Sequence, residues 1–213
     1  MLELALKSAW NQTMVQRKYK TIKHQHEPGD LHELTFSCYR KMRLLTNDLW
    51  RAKLAACIDE ACELHSMELV AFVFMPDHVH LLVFPTLPKP DMGQFLAKIK
   101  QPLSSFVRQQ LEESSSPLPR QLTVQERPGK TSFRFWQEGP GCDRNLFQPE
   151  SIQASINYIH KNPVERKLCK QAVDWRWSSA RFYLNEPQGQ QFDELPLLHG
   201  LRPEALEPGS SRI

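Results

Sequence analysis

The sequence predicts an α+β fold, an antiparallel sheet with helices packed on one face. Two apolar runs, residues 69–74 and 79–84, are separated only by a break at Met75-Pro76-Asp77, which reads as a hairpin. Strand-like and helix-like stretches follow as strand, helix, hairpin, helix, strand, helix, an order that suits segregated rather than parallel layers. A chain of 213 residues with 40% hydrophobic content can also bury a core without disulfides or structural metal.

Residues 1–30 are polar and basic, with Arg17-Lys18-Tyr19-Lys20 and His24-Gln25-His26, and end in Pro28-Gly29-Asp30. They read as a basic N-terminal arm. Residues 31–39 alternate Leu31, Glu33 and Thr35 against His32, Leu34 and Phe36, the period of a first strand. Thr46-Asn47-Asp48 offers caps for a helix over 49–64, with Leu49, Ala52, Ala56, Ala61 and Leu64 inward. The hairpin follows, then a proline-rich linker at 85–90 and a helix over 92–111 carrying Phe95, Ile99, Leu103, Phe106 and Leu111, with Pro102 expected to kink it. Residues 114–119 read as loop, 125–132 as a polar stretch, and Phe133-Arg134-Phe135-Trp136 as the next strand. Pro149-Glu150 opens a helix whose stripe is Ile152, Ile156 and Ile159, and Asn162-Pro163 should end it. Residues 31–183 form the predicted domain, and 184–213 a Pro/Gly-rich acidic tail expected to be poorly ordered.

Charge and cysteine usage narrow the function classes. Lys and Arg number 27 against 24 Asp and Glu, but residues 183–213 hold five acids against two bases, which leaves the first 182 residues at +6. Between Lys161 and Arg181 lie six bases and two acids, with Trp175 and Trp177 among them. Bases interleaved with aromatics suit a polyanion whose bases can stack, although a charge run is also the ordinary composition of a solvated face. Five cysteines without a Cys-x-x-Cys pair argue against a disulfide framework or zinc ribbon, so reduced thiols in a cytoplasm are expected. No run approaches the ~18 apolar residues of a membrane span, and the first residues show no signal-peptide pattern.

Two patterns can carry chemistry. His78 and His80 stand two apart on a strand, so their side chains share a face while Val79, Leu81 and Val83 point the other way. They can converge on one cation; they can equally be ordinary histidines of a half-exposed strand. On the helix after Pro149, Ser151, Ser155, Tyr158 and Asn162 occupy i, i+4, i+7 and i+11. Asn162 can add a hard oxygen beside Tyr158, and two histidines plus an oxygen suit Mg²⁺ or Mn²⁺ better than structural zinc. The plainer alternative makes Tyr158 an amphipathic surface residue and Asn162 a helix C-cap.

Met75-Pro76-Asp77-His78-Val79-His80-Leu81-Leu82-Val83 resembles the His-hydrophobic-His segment of single-tyrosine transposases in the HUH nuclease superfamily. Tyr158-Ile159-His160-Lys161-Asn162-Pro163-Val164, then Trp175-Arg176-Trp177-Ser178-Ser179-Ala180, resembles the REP-associated tyrosine transposase branch, as does Phe135-Trp136-Gln137-Glu138-Gly139. The resemblance spans about residues 31–183; Gly139-Pro140-Gly141-Cys142 departs from it. It implies a ferredoxin-like sheet bearing the histidines with the tyrosine helix across it. His78, His80 and Asn162 would hold a divalent metal, Mg²⁺ or Mn²⁺, and Tyr158 would be the nucleophile. The implied activity is metal-dependent endonuclease and strand transfer on single-stranded DNA through a 5′-phosphotyrosine intermediate at hairpin-flanked, REP-like sites.

The expected DNA contacts are Lys98, Lys100 and Arg108 on one helix, with Trp136 as a further contact. Lys161, Arg166, Lys167 and Arg176 would continue one positive surface near the tyrosine helix. The expected state is a cytoplasmic, nucleoid-associated monomer, with a dimer open because some relatives swap the tyrosine helix. Two rival classes stay open: a domesticated DNA-binding protein of the same fold with a regulatory role, and an RNA-binding module with structural histidines.

Overall fold

A computed structural model describes residues 29–114, 116–184 and 193–202. The elements in chain order are β1 (Leu31–Ser37), α1 (Asp48–His65), β2 (Met67–Phe74), β3 (His78–Pro85), α2 (Met92–Glu112) and α3 (Leu118–Leu122). They continue with β4 (Thr123–Arg127), β5 (Lys130–Phe133), β6 (Cys142–Leu146), α4 (Pro149–Glu165) and α5 (Ala180–Leu184). The main sheet has four strands in the order β2-β3-β1-β6, and each pairing is antiparallel. The basic arm lies outside the described residues except for its last two.

The predicted α+β antiparallel class holds, but the helices are not confined to one face. In β3, Val79, Leu81 and Val83 join Leu54, Ile58, Phe95, Ile99 and Leu103 of α1 and α2 in one core. Leu82, between them and so on the opposite face, joins Ile152, Ile156 and Ile159 of α4 in a second core. The sheet is therefore covered on both sides. A strand buried on both faces loses its polar–apolar alternation, so β2 and β3 read as continuous apolar runs that do not tell how many faces are covered.

Asn47 caps α1 by accepting from the backbone N–H groups of Leu49 and Trp50. The inward stripe is Trp50, Leu54, Ile58 and Ala61; of the expected stripe only Ala61 is buried, and Leu49 and Leu64 are 55% and 64% exposed. Both stripes have helical spacing, and the one carrying the Trp and Ile buries more apolar area against α2 and the sheet.

Three strands were not legible. Residues 123–133 form the β4–β5 hairpin, and the last main-sheet strand is the polar Cys142–Leu146 rather than Phe133-Arg134-Phe135-Trp136. In β6, Arg144 reaches Glu33, and Asp143 hydrogen-bonds His32 at 2.9 Å, so polar cross-strand partners replace apolar burial. Gly141 admits this strand: its φ is +97°, and a Cβ there would run into the Thr35 carbonyl.

α4 does not stop at Asn162. It runs to Glu165 with Pro163 inside its last turn. Its end is closed by the Leu168 N–H donating to the Pro163 carbonyl at 2.9 Å and the Lys167 N–H to the Val164 carbonyl at 2.9 Å, with Lys167 left-handed at φ +57°. This is a Schellman closure. A proline so near the terminus removes one helical hydrogen bond, and these terminal bonds offset the loss.

The tail also departs from expectation over 193–202. Leu195 and Leu198 are buried in the α1/α2 core, and the His199 N–H donates to the Leu69 carbonyl of β2 at 2.9 Å.

Candidate functional site

β3 is fixed between β1 and β2, with Thr35 opposite His80 and Ser37 opposite His78. That register sends both imidazoles toward α4. His78 and His80 are 6% and 4% exposed, and their Nε2 atoms lie 3.1 Å apart. The outer ring nitrogens are held from behind. Asp77 accepts from His78 Nδ1 at 2.7 Å, and Thr35 Oγ1 lies 2.8 Å from His80 Nδ1. With both Nδ1 atoms donating, the two Nε2 lone pairs converge on one point, the arrangement a metal-ligating histidine pair requires.

Burial pushes both imidazoles toward the neutral form. His80 falls to about 4, through desolvation and then its neighbour His78. His78 is also lowered, mainly by desolvation, although Asp77 pulls it back. Burial alone would raise Asp77, but its hydrogen bond to His78 and the nearby Arg166 hold it below the ordinary carboxylate value. Near neutral pH, then, both histidines are available as ligands.

α4 supplies the opposite wall. Asn162 is 4% exposed, with its amide nitrogen 3.2 Å from His80 Nε2. A half-turn of the amide presents Oδ1 at the same place. Tyr158, one turn earlier, lies edge-on to His80 with ring centroids 5.3 Å apart, yet stays 45% exposed. Ser155, a further turn back, is not open space: its hydroxyl donates to Glu33 at 2.7 Å and fastens the helix to β1.

The donor set fits a hexacoordinate divalent cation. Cis ligands of such an ion, with bonds of ~2.1 Å at right angles, stand about 3.0 Å apart, close to the histidine spacing here. Among the described residues no three His, Cys, Asp or Glu converge, and the side chain that α4 brings against the histidine pair is the Asn162 amide.

The other sequence-predicted contacts divide. Lys161, Arg166 and Lys167 are exposed at the C-terminal part of α4, and Arg166 approaches Asp77 at 3.5 Å. Lys98, Lys100 and Arg108 ride on α2, across the sheet from the histidines, and do not join that group. Lys98 pairs with Glu60 at 3.3 Å, Arg108 with Glu112 at 2.7 Å, and Lys100 donates to the Gly139 carbonyl at 2.7 Å. Arg176 pairs with Glu194 at 3.0 Å. Trp136 is a core residue, 6% exposed, with its indole N–H on the Lys100 carbonyl at 3.1 Å.

Trp175 and Trp177 are structural as well. Their indoles donate to the Phe74 carbonyl at 3.1 Å and to Asp48 at 2.8 Å, and the Arg51 guanidinium stacks on both rings. The Trp177 carbonyl and the Ser179 N–H bond to Phe74 and Phe72, covering the free edge of β2.

Sequence reasoning missed the supporting groups: Asp77 and Thr35 behind the histidines, Glu33 under Ser155, and Lys41, whose charge opposes protonation of His78. Asp77 and Thr35 were findable, one preceding His78 and the other sharing the strand face of Glu33. Lys41 was not, because its placement depends on a tertiary turn.

Comparison with known proteins places the fold. The chain is 28% identical over 120 residues to a Haemophilus influenzae protein assigned to the REP-associated tyrosine transposases, a match covering 56% of this chain and 62% of the relative. Its fold matches that of a REP-associated tyrosine transposase solved bound to a REP hairpin, with a TM-score of 0.60 at 17% identity over 84% of this chain and 96% of the other. The family model for IS200-like transposases matches residues 30–139, which include β1, the hairpin and both histidines, and the chain belongs to that family.

Proposed function

We propose that the protein is a metal-dependent single-stranded DNA endonuclease and strand transferase acting through a 5′-phosphotyrosine intermediate at hairpin-flanked sites. The observation that carries this reading is the convergence of His78 and His80 Nε2, 3.1 Å apart, beneath a helix that presents Asn162 and an exposed Tyr158 one turn apart. His78, His80 and Asn162 would hold a Mg²⁺ or Mn²⁺ ion. Bound there, it supplies charge neutralisation and orientation of the scissile phosphate.

The remaining work falls to the chain. Asp77 and Thr35 hold the imidazoles in the ligating tautomer. The exposed Tyr158 phenol attacks the phosphorus and gives its proton to solvent; the P–O3′ bond breaks, the departing 3′ oxygen takes a proton from solvent to become a hydroxyl, and the 5′ phosphate stays on Tyr158. Strand transfer is the reverse attack by another 3′ hydroxyl, so no energy source is needed. Lys161, Arg166 and Lys167 meet the flanking phosphates. A hairpin substrate is supported by the structural neighbour solved with a REP hairpin. The working unit in this reading is a monomer, with α4 laid over the histidines of its own chain.

The test is incubation of hairpin-bearing single-stranded DNA with Mn²⁺ and denaturing electrophoresis. Wild type should give a covalent protein–DNA adduct, and Tyr158→Phe should lose adduct and cleavage together while still binding DNA. Cleavage by Tyr158→Phe at the wild-type rate would make a water molecule the nucleophile. Binding without any adduct in wild type would instead favour a regulatory DNA-binding role.

A further inference from the structure

His160 has no part in the chemistry above, yet it is buried, at 7% exposure, on the helix that carries Tyr158 and Asn162. Its Nε2 lies 2.8 Å from Ser179 Oγ. That hydroxyl accepts from the Phe72 N–H at 2.9 Å and donates to the Phe72 carbonyl at 3.2 Å, so the imidazole N–H is the donor to it. The Tyr183 ring closes another side of the imidazole, with ring centroids 5.2 Å apart.

Both partners belong to the segment that returns along the outer edge of β2 after α4. It is gripped there at alternate residues. The Phe74 N–H donates to the Trp177 carbonyl at 2.8 Å, the Ser179 N–H to the Phe72 carbonyl at 3.1 Å, and the Tyr183 hydroxyl to the Val70 carbonyl at 2.7 Å. Val73, between two of these grips, bridges Ser178 and stands opposite His80 in the β2–β3 register. The mount for His160 is thus fixed to the strand that adjoins β3.

Helical geometry sets what such a bond controls. At ~100° per residue, Ile152, Ile156 and Ile159 form a stripe about 60° wide, the stripe that packs on the sheet. Ser155, Tyr158 and Asn162 fall on one flank of it, and His160 on the other, about 40° beyond Ile156. Apolar burial is non-directional, so the stripe resists lifting of α4 more than rolling about its axis. Rolling is opposed by two polar bonds, one on each flank: Ser155 to Glu33 of β1 at 2.7 Å, and His160 to Ser179 beside β2. Since β1 and β2 flank β3, the helix is tied on both sides of the strand that bears His78 and His80. Side-chain atoms stand ~5–6 Å from a helix axis, so a roll of ~10° moves them by ~1 Å. A displacement of ~1 Å costs on the order of 10²-fold in rate.

We propose that His160 is a positioning residue for the strand-transfer reaction: its bond to Ser179 fixes the roll of α4, and with it the placement of the Tyr158 oxygen and the Asn162 amide over His80. The inference rests on the strand-transfer reading above and deepens it. His160 touches neither the phosphate nor the metal; it acts through the helix.

The test separates rate from binding. His160→Phe keeps a ring against Tyr183 and deletes the bond, whereas His160→Gln keeps an N–H donor. Ser179→Ala tests the same bond from the other side should His160→Phe not fold. Single-turnover adduct formation is followed at saturating hairpin DNA with Mn²⁺, DNA affinity is measured in EDTA, and Mn²⁺ affinity by calorimetry, each per folded molecule from urea titration. His160→Phe should slow adduct formation roughly 10²-fold and Ser179→Ala at least ~10-fold, with DNA affinity within about twofold of wild type. His160→Gln should recover the rate to within about fivefold of wild type. Mn²⁺ affinity should fall in His160→Phe, because Asn162 moves with the helix, and return in His160→Gln.

A wild-type rate in both His160→Phe and Ser179→Ala overturns the proposal, as does a loss that His160→Gln does not recover. A wild-type protein that forms no adduct sinks the phosphotyrosine reading instead. The proposal then stands if His160→Phe weakens Mn²⁺ binding and His160→Gln restores it, and falls if all three proteins bind Mn²⁺ alike.

Discussion

The two faces of the main sheet are built to opposite rules. Toward α1 and α2 the strands present Leu34, Phe36, Phe72, Phe74, Val79 and Leu81, an apolar layer with the bases of α2 outside it in local partnerships. Toward α4 they present, beside the smaller apolar core of Leu31, Val73 and Leu82, the buried Glu33, His78 and His80 and the half-buried Thr35, each satisfied by another polar side chain. A buried polar group costs stability unless it is paired, so the second face needs specific partners where the first needs only volume. The proposed chemistry falls on the face where position is fixed by directional bonds.

The largest expected contrast comes from neighbouring residues of β3. His80→Ala should abolish Mn²⁺ binding measured by calorimetry, and with it cleavage, in a folded protein. Leu81→Ala should cost ~2–5 kcal/mol of stability by urea titration, yet leave metal affinity of the folded fraction intact. If Leu81→Ala removed the metal site as well, the two faces would not be separable.

Acid should act through the α4 side. His80 and His160 both fall to about 4 from 6.5, His80 through burial and then His78, His160 through burial against Ser179 and Tyr183. Their folded values are depressed, so the unfolded chain takes up protons first as pH drops. The associated stability is fully present above pH 6.5 and is lost progressively toward about pH 4. Each contributes on the order of 2–3 kcal/mol over that window. His160→Gln should flatten the dependence of the urea midpoint on pH between 6.5 and 4; an unchanged slope would remove His160 from the account.

A smaller effect is expected where α4 is fastened. Ser155→Ala removes the hydroxyl donor to Glu33 and should cost ~1–2 kcal/mol, with a lower single-turnover cleavage rate because Tyr158 and Asn162 ride on the same helix. A rate equal to wild type would mean that this bond stabilises without positioning.

The smallest contrast is in salt dependence. Lys161→Gln should lower the slope of DNA binding against salt by about 0.7 unit or less. Lys98→Gln, on the far face and paired with Glu60, should leave it unchanged. Equal effects would restore the single continuous positive surface expected from the sequence.

Sequence legibility followed the same division. The strand period placed His78 and His80 on one face, and the helix period placed Tyr158 one turn from Asn162, because both follow from backbone geometry over a few residues. Failures came where segments far apart in the chain decide. Leu49 and Leu64 fit a helical stripe through Ala61 as well as Trp50, Leu54 and Ile58 do, and only the packing partner selects between them. Cys142–Leu146 has too little apolar character to announce a strand, and pairs through Glu33 and His32 of β1. Trp136, Trp175 and Trp177 read as stacking surfaces and are instead tied into the core or along an edge.

The sequence by itself determined the α+β class, the hairpin, the shared face of the histidines and the family resemblance, all written in spacing along the chain. Tertiary structure alone decided that α4 covers the second face of the sheet. It also decided that Asp77 and Thr35 stand behind the imidazoles, and which bases keep their charge free. A periodic pattern is set by the local backbone, whereas neutralisation of a charge and satisfaction of a buried polar group depend on whichever distant group the fold brings within hydrogen-bond reach.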